Sequence, residues 1–253
     1  MRENELFELD HLQQYVVRKE LFEVGEEEII EFTKQAVAKG KLPLNHMAAI
    51  ETDKLYNEIK ILKSNYTLSI EGKEKKNFEF DELKIEETTL IAQLDDRYDD
   101  KQIVVCYSKQ KSFTKHVVEA WFKHLFVTAS GEEINTVFLI RERKTPFVFK
   151  TGIVSQAEAK TILKELVTYF KQGHKEALPF LPSWSCKSYL DEKKFEKTLE
   201  SELKYNEYAM LLDEEGYFEP SQLNKTLFNN LAKLVFDKYA NELTKEDLDG
   251  AKN

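Results

Sequence analysis

The stretches LIAQLDDRYDD (Leu90–Asp100) and IVVCYSKQK (Ile103–Lys111) hold the side chains best placed for chemistry. Metal-assisted cleavage of a phosphodiester needs acidic ligands for Mg²⁺. It often needs a lysine as well, to steady the attacking water or the developing charge. A hairpin can supply both: an acid near the end of one strand, acid-x-lysine on the next, then a helix. Residues i and i+2 of a strand share a face, so acid and lysine point the same way. Here Asp95 takes the place of the first acid, Cys106 falls where the second would be, and Ser108 stands where the lysine would be. A neutral thiol is a poor Mg²⁺ ligand and a hydroxyl carries no positive charge. Lys109 points to the opposite face from Cys106, although a frayed strand end could bring it round. No catalytic residue is therefore assigned: Asp95, Cys106 and Ser108 are degenerate positions, and neither a metal nor a cofactor is expected. The competing reading is an active Mg²⁺ site that joins Asp95 to Asp96, Asp99 or Glu119.

Other chemistries find less support. Eight scattered glycines give neither GxxxxGK[ST] nor GxGxxG, which argues against an ATPase. His116 and His124 share a helical stretch but sit eight apart, outside any HExxH pattern, so surface or core-edge roles are expected for the histidines. No GxSxG or patterned cysteine marks a nucleophile. Cys106 alternates with Val104 inside a strand, which suits a small buried filler.

The elements that must position these residues follow from composition and period. A chain of 253 residues, 42% hydrophobic with 17 Phe and 11 Tyr, can bury a sizeable core in one large domain or two small ones. Only 8 Gly and 5 Pro favour long helices over a turn-rich sandwich. The net charge of −9 speaks against a free-standing nucleic-acid binder, because counterion release needs clustered Lys and Arg. Two cysteines without CxxC spacing, no signal peptide and no long apolar run suit a reduced, cytoplasmic setting.

Leu6, Leu9, Leu12, Val16 and Val17, then Ile29, Ile30, Phe32, Ala36 and Val37, predict two short helices, with Gly25 and Gly40 as stops. Asn45 can cap a longer helix carrying Ala48, Leu55, Ile59 and Leu62. Strands are expected at 66–72, 76–85, 88–94 and 102–108 as a meander, with a further strand at 135–141 and another in TPFVFKT. Phe113, Val117, Trp121, Leu125 and Ala129 predict a helix ended by Gly131. Ser155 and Glu158 form a capping box that opens another. Helices marked by Phe195 and by Leu223–Val235, the latter capped by Ser221, close the chain. This order gives an α+β fold with helical extensions.

FELDHLQQYVVRKELFE, AVAKGKLPLNHMAAIETDKLYNEI, HVVEAWFKHLFVTASGEEINTVFLIRE and SQAEAKTILKELVTYFKQGHKEALPFLPSWSCKSYL follow one another in this chain. In order and spacing they resemble the RecC C-terminal family, the gamma chain of exodeoxyribonuclease V (the RecBCD helicase–nuclease). The resemblance runs from about Leu6 to Tyr239, and the stretch LLDEEGYFEPS fits it less well. It implies a restriction-endonuclease-like (PD-(D/E)XK-type) core with a central mixed sheet flanked by helices and a degenerate active site. That core is expected over 45–178, with helical extensions at 1–44 and 179–253. It further implies a non-catalytic scaffold and DNA guide in double-strand-break repair and recombination. The partners would be a RecB-type beta chain and a RecD-type alpha chain, with DNA met inside the complex. The family's upstream parts are missing here, so the chain is expected to be the end of a longer polypeptide or a separately encoded piece.

Within that reading, Lys109, Lys111 and Lys115 are DNA-contact candidates, ahead of the turn lysines Lys73, Lys75 and Lys76. Phe180, Trp184 and Tyr189 in PFLPSWSCKSY are partner-docking candidates, with core packing as the competing role. A third reading is an acidic interaction module unrelated to DNA.

Overall fold

The computed structural model describes residues 8–76, 81–94, 96–108, 113–141, 147–149, 152–218 and 225–240. They group into two compact units, each assembled from separate stretches. One comprises Met1–Lys73, Val105–Lys109 and Phe138–Phe147, the other Glu74–Val104, Gln110–Val137 and Val148–Asn253.

The first unit is led by three helices: α1 (His11–Glu23), α2 (Ile29–Ala38) and α3 (His46–Ile70). Asp10 opens α1 with a capping box, its carboxylate accepting from Gln13 N–H at 2.8 Å while Gln13 Oε1 accepts from Asp10 N–H at 2.8 Å. Both α1 and α2 pack on α3. Ala48, Thr52, Leu55, Ile59 and Leu62 are buried along α3 at alternating spacings of four and three, a continuous stripe. The strand expected at 66–72 is a correction: Tyr66–Ile70 is the last turn of α3. The stripe extends one more step to Tyr66, whose ring meets Phe22 edge-on at 5.2 Å. Thr67 and Ser69 donate back to the carbonyls of Lys63 and Asn65 (3.1 and 2.7 Å), so their hydroxyls serve the helix.

Two polar arrangements lock this unit. Glu58 Oε2 accepts from Arg18 Nε at 2.7 Å and from Arg141 Nη1, so one carboxylate serves two buried guanidiniums. Lys63 Nζ donates to the carbonyls of Leu21 (3.3 Å), Phe22 (2.7 Å) and Val24. Leu21 and Phe22 stand in the last turn of α1, where carbonyls run short of intrahelical donors; Leu21 O also accepts from the N–H of Val24, the C-cap, at 3.3 Å. Burial lowers the Lys63 pKa, and Glu23, Glu27 and Glu26 oppose that shift.

The second unit contains an antiparallel hairpin, β1 (Asp81–Ile85) with β2 (Thr88–Ala92). A four-stranded sheet follows in the order β3 (Arg97–Tyr98), β4 (Lys101–Cys106), β5 (Asn135–Ile140), β6 (Phe147–Phe149). β4 and β5 give residues to both units. The expected continuous meander is thus two separate sheets. The break falls after β2, where Leu94 leaves the strand and is buried with Phe126, Val127 and Ile134. β3 pairs antiparallel with β4 through Arg97↔Gln102 and Tyr98↔Lys101. Main-chain bonds from Asn135 N–H to Asp100 (2.7 Å) and from Arg141 N–H to Cys106 (3.1 Å) keep step, so β5 runs parallel to β4. The four-stranded sheet is mixed.

The crossover between β4 and β5 is α4 (Phe113–Ser130), whose Val117, Trp121 and Leu125 are wholly buried. Gly131 ends it at φ 95°, and a Cβ there would lie 2.9 Å from Gln156 Nε2. α5 (Gln156–Gly173) packs along α4 and starts at the expected capping box, Glu158 N–H to Ser155 Oγ at 3.2 Å. α6 (Pro182–Leu190), α7 (Phe195–Tyr205), α8 (Glu207–Glu214) and α9 (Lys225–Ala240) complete it. They enclose a cluster of Leu181, Trp184, Ala209, Leu212, Phe218 and Phe228. Ser221, read as a cap, lies outside the described residues.

Candidate functional site

The hairpin expected to join Asp95 to Cys106 and Ser108 is described only in part. Asp95 lies outside the described residues, as do Lys109 and Lys111; of Lys115 only its place in the first turn of α4 is described. β4 ends at Cys106, so Ser108 sits in a bend beyond the strand. The shared-face argument that paired positions 106 and 108 therefore fails, because pleated alternation stops where the strand does. The Cys106 side chain is 1% exposed, the packing role of a small filler, and its carbonyl is engaged by Arg141.

The acids of the competing reading are each engaged locally. Asp96 Oδ1 accepts from Lys75 Nζ at 3.4 Å, and its carbonyl accepts from Ile103 N–H at 2.8 Å. Asp99 sits in the β3–β4 turn at φ 45°, its N–H bonded to Glu74 O at 3.3 Å. Glu119 pairs with Lys123 one turn along α4 at 3.1 Å. Among the described residues, no three His, Cys, Asp or Glu side chains come together as metal ligands. Lys75 also lies over the Tyr98 ring at 5.8 Å, so this turn lysine is held against the β3 hairpin.

The three aromatic candidates separate. Trp184 is wholly buried, its indole N–H donating to Phe195 O at 3.1 Å. Rings of Phe195, Phe218 and Phe228 surround it at 4.7–5.5 Å. Burial takes Trp184 out of a surface role and into the core, the competing role that its sequence neighbourhood offered. Phe180 is half-buried and stacks on Phe236 at 5.8 Å. Tyr189 is half-buried and donates to Asp237 Oδ1 at 2.6 Å. Burial, helped by the Asp237 carboxylate, pushes its pKa up to about 12. It clips α6 to α9.

Two features escaped the sequence reading. His124 is wholly buried rather than at a core edge: its Nδ1 lies 3.0 Å from Thr136 Oγ1 and its ring stacks on Trp121 at 5.6 Å. Burial lowers its pKa to about 4. The other is an apolar groove of about 1070 Å³ walled by β2, α4, α5 and α9. Its sequence signal was the apolar residues left outside the buried stripes, Phe122 on α4 and Phe170 on α5, which are 37% and 68% exposed.

Together these elements define a mixed α+β protein whose β4–α4–β5 crossover has a buried thiol at its entry. No described helix is long and apolar enough to cross a membrane. The family model for the RecC C-terminal domain matches residues 1–193, and the chain belongs to that family. RecC is a subunit of the RecBCD complex, exodeoxyribonuclease V. No match was found among curated proteins.

Proposed function

We propose that the chain is a non-catalytic scaffold and DNA-guiding domain of a RecBCD-type gamma chain, acting in double-strand-break repair and homologous recombination in the cytoplasm. Its restriction-endonuclease-like core has lost the metal site. The reading is supported above all by Cys106: in a chain of the RecC C-terminal family, the position that the resemblance sets against a nuclease's second acid is a thiol, 1% exposed. A neutral buried thiol offers Mg²⁺ nothing. The run of β3 and β4 antiparallel, α4, then β5 parallel supports descent from a hairpin–helix–strand nuclease core. In this role the domain holds the RecB-type and RecD-type chains, with Lys109, Lys111 and Lys115 as candidates for DNA contact inside the complex and Phe180 and Tyr189 as candidates for partner docking.

The test has two arms. The purified chain, supplied with Mg²⁺ or Mn²⁺, is expected to leave single- and double-stranded DNA intact. The full gamma chain lacking this region is expected to lose a partner subunit on co-purification. Metal-dependent cleavage that Asp95→Ala abolishes would reinstate the active-site reading with Asp96, Asp99 or Glu119. Unchanged recovery of both partners would refute the scaffold role.

A further inference from the structure

We infer that the groove beside β2 is a docking site for an extended, uncharged segment of another protein, bound as an added strand along the free edge of β2. This inference stands on the groove alone and does not need the family reading.

Three observations converge. First, the groove is lined by the consecutive residues Thr88–Gln93. A strand that presents a face contributes alternate residues; contributing every one means that its edge borders the space. No β1 residue lines it, so this is the edge away from β1. Second, that edge holds open backbone groups. The two-residue turn Glu86–Glu87 joins Ile85 to Thr88 in the register Ile85↔Thr88, Leu83↔Leu90, Asp81↔Ala92. Pairs flanking such a turn exchange their main-chain bonds, and the alternation continues along the ladder. Thr88, Leu90 and Ala92 therefore turn their N–H and C=O groups to β1, and Thr89 and Ile91 turn theirs outward. Among the described residues, neither Thr89 nor Ile91 makes a main-chain bond outside the hairpin. Third, the edge carries none of the usual protection. β1 has Asp81, Glu82 and Lys84, whereas β2, TTLIA, has no charge and no proline.

The far walls state the chemistry of the occupant. Phe122, Phe126, Leu163, Phe170, Phe180 and Val235 line the groove. Glu119 and Lys123 at its rim neutralise each other at 3.1 Å. A chain paired to β2 would send alternate side chains onto these rings and the intervening ones to water, so it must be apolar at every second position and need carry no charge. The neutral rim and the apolar rings fit such a stretch in another protein.

The probe is a nine-residue peptide alternating valine with serine and threonine, with a lysine at each end, added to the full ¹⁵N-labelled chain. Saturable binding is expected, with slowed hydrogen exchange at the Thr89 and Ile91 amides. The same peptide N-methylated on every second residue is expected to bind roughly tenfold more weakly, about the loss of two hydrogen bonds. Ile91→Pro removes one outward donor at a position where an edge strand accepts proline. Phe170→Glu charges the opposite wall without touching the hairpin. Each is expected to weaken binding by about tenfold or more. Equal affinity for the methylated peptide would overturn strand addition, and so would indifference to Phe170→Glu. Absence of binding at millimolar peptide would overturn the site. A dimer of the unliganded chain that Ile91→Pro dissolves would assign the edge to a second copy and overturn the partner named here.

Discussion

Acid should loosen the α4–β5 contact through one side chain. His124 is wholly buried and burial lowers its pKa from 6.5 to about 4, so the native state holds it neutral where the unfolded chain would protonate it. The depressed value fixes the sign: the stability is intact above the unfolded pKa of 6.5 and is lost as pH falls toward about 4. At pH 5 the unfolded histidine is almost fully charged and the native one about one-tenth charged. Linkage then gives roughly 2 kcal/mol less stability than at neutral pH, saturating near about 3 kcal/mol in stronger acid. His124→Asn keeps a polar atom toward Thr136 and removes the titration. The variant should begin about 1 kcal/mol less stable, from the poorer hydrogen bond. Urea unfolding would be followed through Trp121, which stacks on His124, with Trp184→Phe as background so that one indole reports. All other acid effects cancel in the difference between the two proteins. Equal losses of stability from neutral pH to pH 5 in both would refute the reasoning.

Further substitutions probe the other contacts. Trp184→Ala, which empties the centre of the α6–α9 cluster, should cost about 3–5 kcal/mol in chemical denaturation; a silent variant would return Trp184 to the docking surface. Glu58→Gln, which removes the carboxylate shared by Arg18 and Arg141, should cost about 2–4 kcal/mol and be read by thermal unfolding. Lys63→Met should strip the Leu21, Phe22 and Val24 carbonyls of their ammonium donor at about 1–2 kcal/mol, with faster hydrogen exchange at the C-terminal end of α1 as its marker. Asp95→Ala should change neither the fold nor any nuclease assay.

What the sequence disclosed depended on how far each element stood from competing patterns. α4 and α5 were plain because Val117, Trp121 and Leu125 recur at helical spacing, and because Ser155 with Glu158 marks a start that the structure reproduces. Tyr66–Ile70 misled because YTLSI alternates as a strand does, while Tyr66 also continues the α3 stripe; tertiary packing on Phe22 decided between the two. β3 is two residues inside DDRYDDK, and two aspartate pairs so close together read as a turn whichever backbone groups lie between them. α8 lies beyond residue 193, where the family match ends, with only Ala209 and Leu212 buried to mark its inner face. Cys106 was legible as a filler because a thiol suits a buried strand position. Ser108 was not, since no local signal tells where a strand frays. The Phe122 groove needed three dimensions: a stripe wider than the helix contact looks the same in sequence whether it meets core or open space.

The shared strands also bear on how the chain is made. The α1–α3 helices are complete once Lys73 has been synthesised, but their unit also includes Val105–Lys109 and Phe138–Phe147. Arg141, which meets Glu58, arrives with the last of these. Between Lys73 and Phe147 lie 147 − 73 = 74 further residues of translation. At about 5–20 residues per second, that is roughly 4–15 s on the ribosome with Glu58 held by Arg18 alone and its second partner, Arg141, still unmade for most of it. Throughout that interval the nascent helices expose apolar surface that the finished chain hides. A ribosome-associated chaperone would therefore find its substrate in the first 73 residues, and a pause after codon 147 would help the protein more than one after codon 73.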